Sequence, residues 1–192
     1  NDQPIAFCPL EPSVDTTTTA YDWSGNGNDG VYNTSSSYNS GNGPAPYIGN
    51  SANFNGNLLA TLSGPNVGLL NFGGQITLEA WVQPANVTGN LQDILAKGYD
   101  SSTYNETVLR QDSGTFTGNG GSGGTAQVGT WAYVVSANDG TNWNLYVNGI
   151  LVKQSASTSG AQNFSDPWAI GSGSSGGANR VLAGNLSQVG LD

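Results

Sequence analysis

The chain has 192 residues, a formal net charge of −9, four cationic side chains, one cysteine, and neither histidine nor methionine. Lys97, Arg110, Lys153 and Arg180 cannot assemble a basic patch, which excludes nucleic acid and an anionic membrane surface as partners. The absence of histidine closes Ser-His-Asp, Cys-His and His-based zinc chemistry, and no apolar run approaches the roughly 20 residues of a membrane-inserted helix.

Helical periodicity is nearly missing, and strand signals run the length of the chain. In chain order they fall at Ile5–Leu10, Ala52–Phe54, Leu58–Leu62, Ile76–Val82, Ile94–Lys97, Thr107–Arg110, Trp131–Ser136, Trp143–Val147, Ile150–Gln154, Trp168–Gly171 and Ala183–Val189. The clearest is Ile76–Val82, where Ile76, Leu78, Ala80 and Val82 alternate with Thr77, Glu79 and Trp81. That period of two predicts one face on a core and the other toward solvent or ligand. Asn148-Gly149 supplies the two positive-φ residues of a type I′ turn, so Trp143–Val147 and Ile150–Gln154 read as a hairpin. The low-complexity stretches Asn33–Pro46 and Gly118–Gly124 read as loops, the second as a mobile lip over one sheet face. Many short strands with Gly, Asn and Ser connections predict an all-β fold, a two-sheet antiparallel jelly-roll sandwich, in one domain over 1–192.

Further expectations come from composition. A chain without methionine is expected to start at a processed end, and low charge with abundant Ser, Thr, Asn and Gly predicts a secreted, extracellular or particle-surface protein. Cys8 sits in the apolar run Ile5–Leu10; it reads as a buried thiol, with a bridge to another chain or segment as the other reading. The run Asp22-Trp-Ser-Gly-Asn-Gly-Asn-Asp-Gly30 can curl at its glycines and turn several oxygens inward. Two readings stand for it: a hard-cation site, since Ca²⁺ takes 6–8 oxygen ligands, and a plain Gly/Asn turn.

The order of these signals resembles the concanavalin A-like lectin/glucanase superfamily, in its laminin G-like jelly-roll branch. The residues that carry the resemblance are Phe7-Cys-Pro-Leu-Glu11, the Asp22 to Gly30 run, Ser51-Ala-Asn-Phe-Asn-Gly56, Thr77 to Val82, Ile94 to Gly98, Gly129 to Val134, Leu145 to Gly149 and Ile170-Gly171. Two features depart from the pattern. Trp23 stands where a small or polar residue is usual, and the last strand stops at Leu186-Ser-Gln-Val-Gly-Leu-Asp192, as though clipped or completed by other residues.

The resemblance implies a structural calcium ion held by Asp22 and neighbouring oxygens, with Asn26, Asn28 and Gly30 as further candidates and Asp192 contributing from the closing strand. The ion would pin the first loop to the last strand. The resemblance also implies carbohydrate or surface-partner binding. Trp81 and Glu79, on the strand face opposite the apolar set, and Tyr104 and Arg110, from a strand expected nearby, are the candidate sugar contacts; a covered framework tryptophan is the other reading of Trp81. Only Glu11, Glu79 and Glu106 are glutamates, and the Glu-x-Asp-x-(x)-Glu pattern of sandwich glucanases does not occur, so the chain is expected not to be an enzyme. A structural or decoration subunit of a virion, filament or other surface assembly, built by pairing of an unfinished last strand with a neighbour, is the alternative role.

Overall fold

The computed structural model describes residues 3–40, 42–44, 49–63, 70, 73–89, 91–98, 106–164, 166–173 and 180–192. Among these residues there is no α-helix, and the chain forms two antiparallel sheets of eight strands each. The first sheet runs β14 (Ile150–Ala156), β13 (Asn142–Val147), β12 (Ala132–Asn138), β7 (Ile76–Pro84), β16 (Ala183–Leu191), β5 (Asn50–Asn55), β4 (Ser37–Ser40), with β1 (Ala6–Cys8) also paired to β16. The second runs β11 (Gly121–Thr125), β10 (Thr115–Gly118), β9 (Thr107–Asp112), β8 (Gln92–Lys97), β15 (Ala169–Ile170), β6 (Ala60–Leu62), β3 (Gly30–Tyr32), β2 (Thr19–Ala20). This is the jelly-roll sandwich expected from the strand pattern.

The core lies between the sheets. β7 buries Ile76, Leu78, Ala80, Val82 and Pro84 and leaves Thr77, Glu79, Trp81 and Gln83 half-buried, the predicted alternation. From the opposite layer Leu95, Leu109, Phe116 and Trp168 complete the apolar cluster. Trp143 shares the parity of Leu145 and Val147 and is buried with them. The β13–β14 hairpin turns at Asn148 (φ 51°) and Gly149 (φ 78°), as the dipeptide requires. Cys8 is a buried thiol, and burial with the charges of Asp22, Asp15 and Asp29 pushes its pKa up.

Three expectations need correction. The Gly118–Gly124 stretch is not a lip: β10 and β11 form a tight hairpin that lies directly on the first sheet. A methyl group at Gly120 would sit 2.6 Å from Trp143 Cβ, at Gly123 2.7 Å from the Val152 carbonyl oxygen, and at Gly124 2.7 Å from Val147 Cγ2. The missing side chains let one backbone approach the other closely; they do not mark disorder. Likewise β4 lies inside the stretch Asn33–Pro46, of which residues 41 and 45–46 lie outside the described residues. The C-terminal strand is also not a sheet edge. β16 is interior, paired through Leu191 with Leu78 of β7 on one side and with Ala6 of β1 on the other.

The start of the chain carries a buried carboxylate. Asp15 accepts from the Tyr21 backbone N–H (3.0 Å) and the Tyr32 hydroxyl (3.3 Å), and burial pushes its pKa up to about 6. An acid whose folded pKa exceeds its unfolded value binds its proton more tightly in the native state. Its contribution to stability is therefore lost as pH rises from the ordinary aspartate range through about 6. Asp15→Asn is expected to shrink the drop in melting temperature between pH 4.5 and pH 7.5; an unchanged drop would contradict this origin. Gly124, at φ 69°, combines a positive φ with contact to Val147. Gly124→Ala is expected to cost about 1–3 kcal/mol in urea unfolding, and wild-type stability in that variant would refute the close-approach account of the hairpin.

Candidate functional site

The loop at 22–30 folds around one carboxylate. Asp22 Oδ1 accepts from the backbone N–H groups of Phe7 (2.9 Å) and Ser24 (2.9 Å), and Oδ2 from the Ser24 hydroxyl (2.7 Å) and the Asn28 N–H (2.8 Å). Asp29 Oδ1 in turn accepts from the Asp22 N–H. The loop is tied to the closing strand through Ile5. The Ile5 carbonyl accepts from Ser24, Asn26 and Asn28 side chains, and the Ile5 N–H donates to the Leu191 carbonyl. Asn28 is fully buried, and its Oδ1 has no hydrogen-bond partner. Gly30 lies in β3, between Ala20 and Leu62 in the ladder, and not in the loop proper. Asp192 exchanges both backbone hydrogen bonds with Thr77 at the end of β7. Among the described residues no group of three or more His, Cys, Asp or Glu side chains is placed to hold a metal ion.

The outer face of the first sheet carries Glu79, Trp81 and Tyr133. The rings of Trp81 and Tyr133 lie 5.3 Å apart at an interplanar angle of 38°, and the Tyr133 hydroxyl donates to Glu79 Oε2. Burial, with that hydrogen bond and the charges of Glu79 and Asp192, raises the tyrosine pKa well above its ordinary value. Gly190 lies across from Glu79 in β16, where a methyl group would sit 2.7 Å from Glu79 Oε1. Trp81 and Glu79 thus share a face as expected, joined by Tyr133. Arg110 does not join them. It belongs to β9, in the opposite sheet, on the face turned away from the core, so the expected surface combining Trp81 with Arg110 does not form. Parity along a strand reports which face a side chain takes; it cannot report which sheet the strand joins. Tyr104 lies outside the described residues.

Arg110 instead builds a charge cluster. Its Nε lies 3.6 Å from Asp93 Oδ1, and its guanidinium bonds Glu106. Arg180 Nη1 lies 2.6 Å from Glu106 Oε2 and 3.9 Å from Asp93 Oδ2. Asp93 is fully buried, and neither of its oxygens has a hydrogen-bond partner. Burial, with a smaller push from Glu106 and against the pull of Arg110 and Arg180, moves its pKa up to about 7.

Glu106 also lines a cleft of about 370 Å³ at one end of the sandwich, where the two sheets meet. Its walls come from Thr107 at the start of β9, Asn119 in the β10–β11 turn, Trp143 of β13, Ser155 and Ser157 around the end of β14, and Gln162. Asn119 splints the wall: its Oδ1 accepts from the Val108 N–H (2.8 Å) and its Nδ2 donates to the Glu106 carbonyl (2.7 Å). The volume falls in the range of small-ligand sites, roughly 300–1,000 Å³, and the lining is dominated by hydroxyl and amide groups. The sequence reading missed this cleft. Its walls come from segments up to 56 residues apart (106 to 162), and each is an ordinary polar residue on its own. An i,i+4 pair meets on a helix but not along a strand, so nothing local in the sequence marked Glu106 and Arg110 as partners.

A family model described as the concanavalin A-like lectin/glucanases superfamily matches residues 55–191. No curated protein sequence matches. Among solved structures, the chain is similar to domain 4 of an extracellular family-43 arabinanase from Geobacillus stearothermophilus in complex with arabinotriose, at 16% identity and TM-score 0.66, covering 98% of this chain and 91% of that one. It is similar to a mutant sialidase of Trypanosoma rangeli displaying trans-sialidase activity, at 16% identity and TM-score 0.63, covering 98% of this chain but 30% of that one. It is also similar to the binding domain of paraclostridial mosquitocidal protein 1, at 14% identity and TM-score 0.61, covering 99% of this chain and 48% of that one. The chain therefore spans about a third to a half of the latter two. These neighbours overturn the expectation that the chain is not an enzyme: the fold recurs within chains of an arabinanase and a sialidase. The reason is physical. The lack of one carboxylate spacing along a single strand does not exclude chemistry by side chains that different strands bring together, so it does not support that conclusion. With a family match over most of its length and the two-sheet jelly roll described above, the chain belongs to the laminin G-like branch of the concanavalin A-like lectin/glucanase superfamily.

Proposed function

We propose that this domain binds a glycan in the cleft lined by Glu106, Asn119, Ser155, Ser157 and Gln162. The observation that carries the reading is the cleft itself: a ligand-sized concavity whose walls offer hydroxyl and amide groups. Sugar hydroxyls both donate and accept, and a wall of Ser, Thr, Asn and Gln side chains matches them group for group. An apolar ligand would leave those groups unpaired, at a cost of about 1–3 kcal/mol each. The glycan-acting and binding proteins among the structural neighbours support the ligand class, and a secreted or particle-surface setting accords with it.

The Trp81–Tyr133 pair favours a second seat on the outer face of the first sheet, where a pyranose ring can stack on an aromatic face beside the Glu79 carboxylate. One titration separates the two. Ser159 is an exposed residue at the cleft rim. Ser159→Trp is expected to weaken oligosaccharide binding at least tenfold by calorimetry, with Trp81→Ala near wild type. The reverse pattern would move the site to the outer face, and no binding of any oligosaccharide by the wild type would defeat the glycan reading.

A structural calcium ion at the 22–30 loop belongs to the same proposal. Asn28 Oδ1, buried and unpartnered, is the oxygen that supports it; Asp22, whose two oxygens each accept two hydrogen bonds in the loop, would exchange at least one of them to serve as the charged ligand. A bound ion stabilises the native state by mass action. Saturating calcium is expected to raise the melting temperature by about 5 °C or more over the chelator-treated protein, and Asn28→Ala to abolish that difference. Identical melting with calcium and with chelator would eliminate the ion and leave the hydrogen bonds on Asp22 as the sole closure of the loop.

A further inference from the structure

Among the described residues the cleft has one charged side chain in its lining, Glu106, and that charge is paired. Arg110 bonds one carboxylate oxygen and Arg180 the other. The two guanidiniums are in turn faced by Asp93, fully buried behind them. Above about pH 7, where Asp93 has lost its proton, Asp93 and Glu106 contribute two negative charges and Arg110 and Arg180 two positive ones, so the ionised cluster sums to zero. All four side chains are at least nine-tenths buried or close to it, with relative exposures of 0, 10, 8 and 11% for Asp93, Glu106, Arg110 and Arg180. At that depth the pairing is poorly screened by salt, and an imbalance of one charge would be felt across the cleft.

We propose that Arg110 and Arg180 act as specificity-determining residues: by cancelling the charge of Glu106 they tune the cleft to uncharged sugars, against both acidic sugars and amino sugars. The inference rests on the cleft being the glycan site. An ammonium group gains no unpaired carboxylate there. A uronate or sialate carboxylate gains no unpaired guanidinium and meets a molecule whose net charge is −9. Among the described residues the other polar side chains of the lining, Thr107, Asn119, Ser155, Ser157, Ser159 and Gln162, are neutral donors and acceptors, which is the complement a hydroxyl-only ligand needs.

Changing one member of the cluster unbalances the charge with a known sign. Glu106→Gln leaves Asp93 against two guanidiniums, for a net charge of +1. Arg180→Gln leaves two carboxylates against Arg110, so the net charge moves toward −1 to the extent that Asp93 stays ionised. The experiment is a calorimetric or glycan-array titration of three matched probe sets: neutral oligosaccharides, uronic-acid oligosaccharides and glucosamine oligosaccharides. The wild type is expected to bind the neutral set at least tenfold tighter than either charged set. Glu106→Gln is expected to gain at least threefold for the uronic-acid set relative to the neutral set, and Arg180→Gln at least threefold for the glucosamine set. These gains in opposite directions are not the mark of a variant that has merely lost structure. Melting curves identify a variant that has not folded, and the other variant with the wild-type preference then decides. Wild-type preference for a charged set, or folded variants that keep the wild-type ranking, would overturn the inference while leaving glycan binding intact. If the wild type binds none of the three sets, the glycan reading falls first and this inference with it.

Discussion

The pairing of β16 between β7 on one side and β5 and β1 on the other is the constraint on which the rest of the structure depends. It joins the end of the chain to its beginning and to its middle in one continuous ladder. The inner parity of β7 then faces the second sheet, and Leu78, Leu186, Val189 and Leu191 are buried in a common core. The outer parity brings Gly190 against Glu79, where a methyl group would crowd the carboxylate at 2.7 Å. The same pairing places Ile5 beside Leu191, so that the Asp22 loop, which closes on the Ile5 carbonyl, is anchored to the last strand by hydrogen bonds.

A second theme is how few cations the chain has and where it uses them. Lys97 is buried, donates to the Leu70 carbonyl at 2.6 Å and lies 5.9 Å from the Trp168 ring centroid. Burial lowers its pKa, because desolvation disfavours the ammonium. Arg110 and Arg180 face Glu106 and Asp93, and Lys153 lies over Gly121 at the β11–β14 contact. Three of the four cations are thus largely buried, as structural counter-charges or buried donors. The surface left to meet a partner is acidic and polar, which fits recognition by hydroxyl and amide groups and not by positive charge.

The long strands were legible because their apolar residues must alternate to bury one face. Ile76–Val82, the Asn148-Gly149 hairpin and the inward Trp143 all follow from that rule and from turn chemistry. β2, β3, β4, β10 and β11 were not legible: they are short, polar or glycine-rich, and their pairing is backbone to backbone. Backbone hydrogen bonds leave little mark on side-chain identity. The candidate sugar contacts divided for a related reason. Glu79 and Trp81 share one strand, so period two sufficed to co-locate them, whereas Arg110 required knowing the sheet to which β9 belongs.

From the sequence alone came the fold class, the family resemblance, the faces of the long strands and the exclusion of basic-patch and histidine chemistry, since each is a property of composition or of neighbours along the chain. Only the tertiary structure decided that the glycine stretch is a packed hairpin, that β16 is interior, and that Arg110 neutralises Glu106 instead of standing beside Trp81. It alone assembled the cleft, because residues 106, 119, 143, 157 and 162 are brought together by strand order, and strand order is set by which apolar faces find one another in the core.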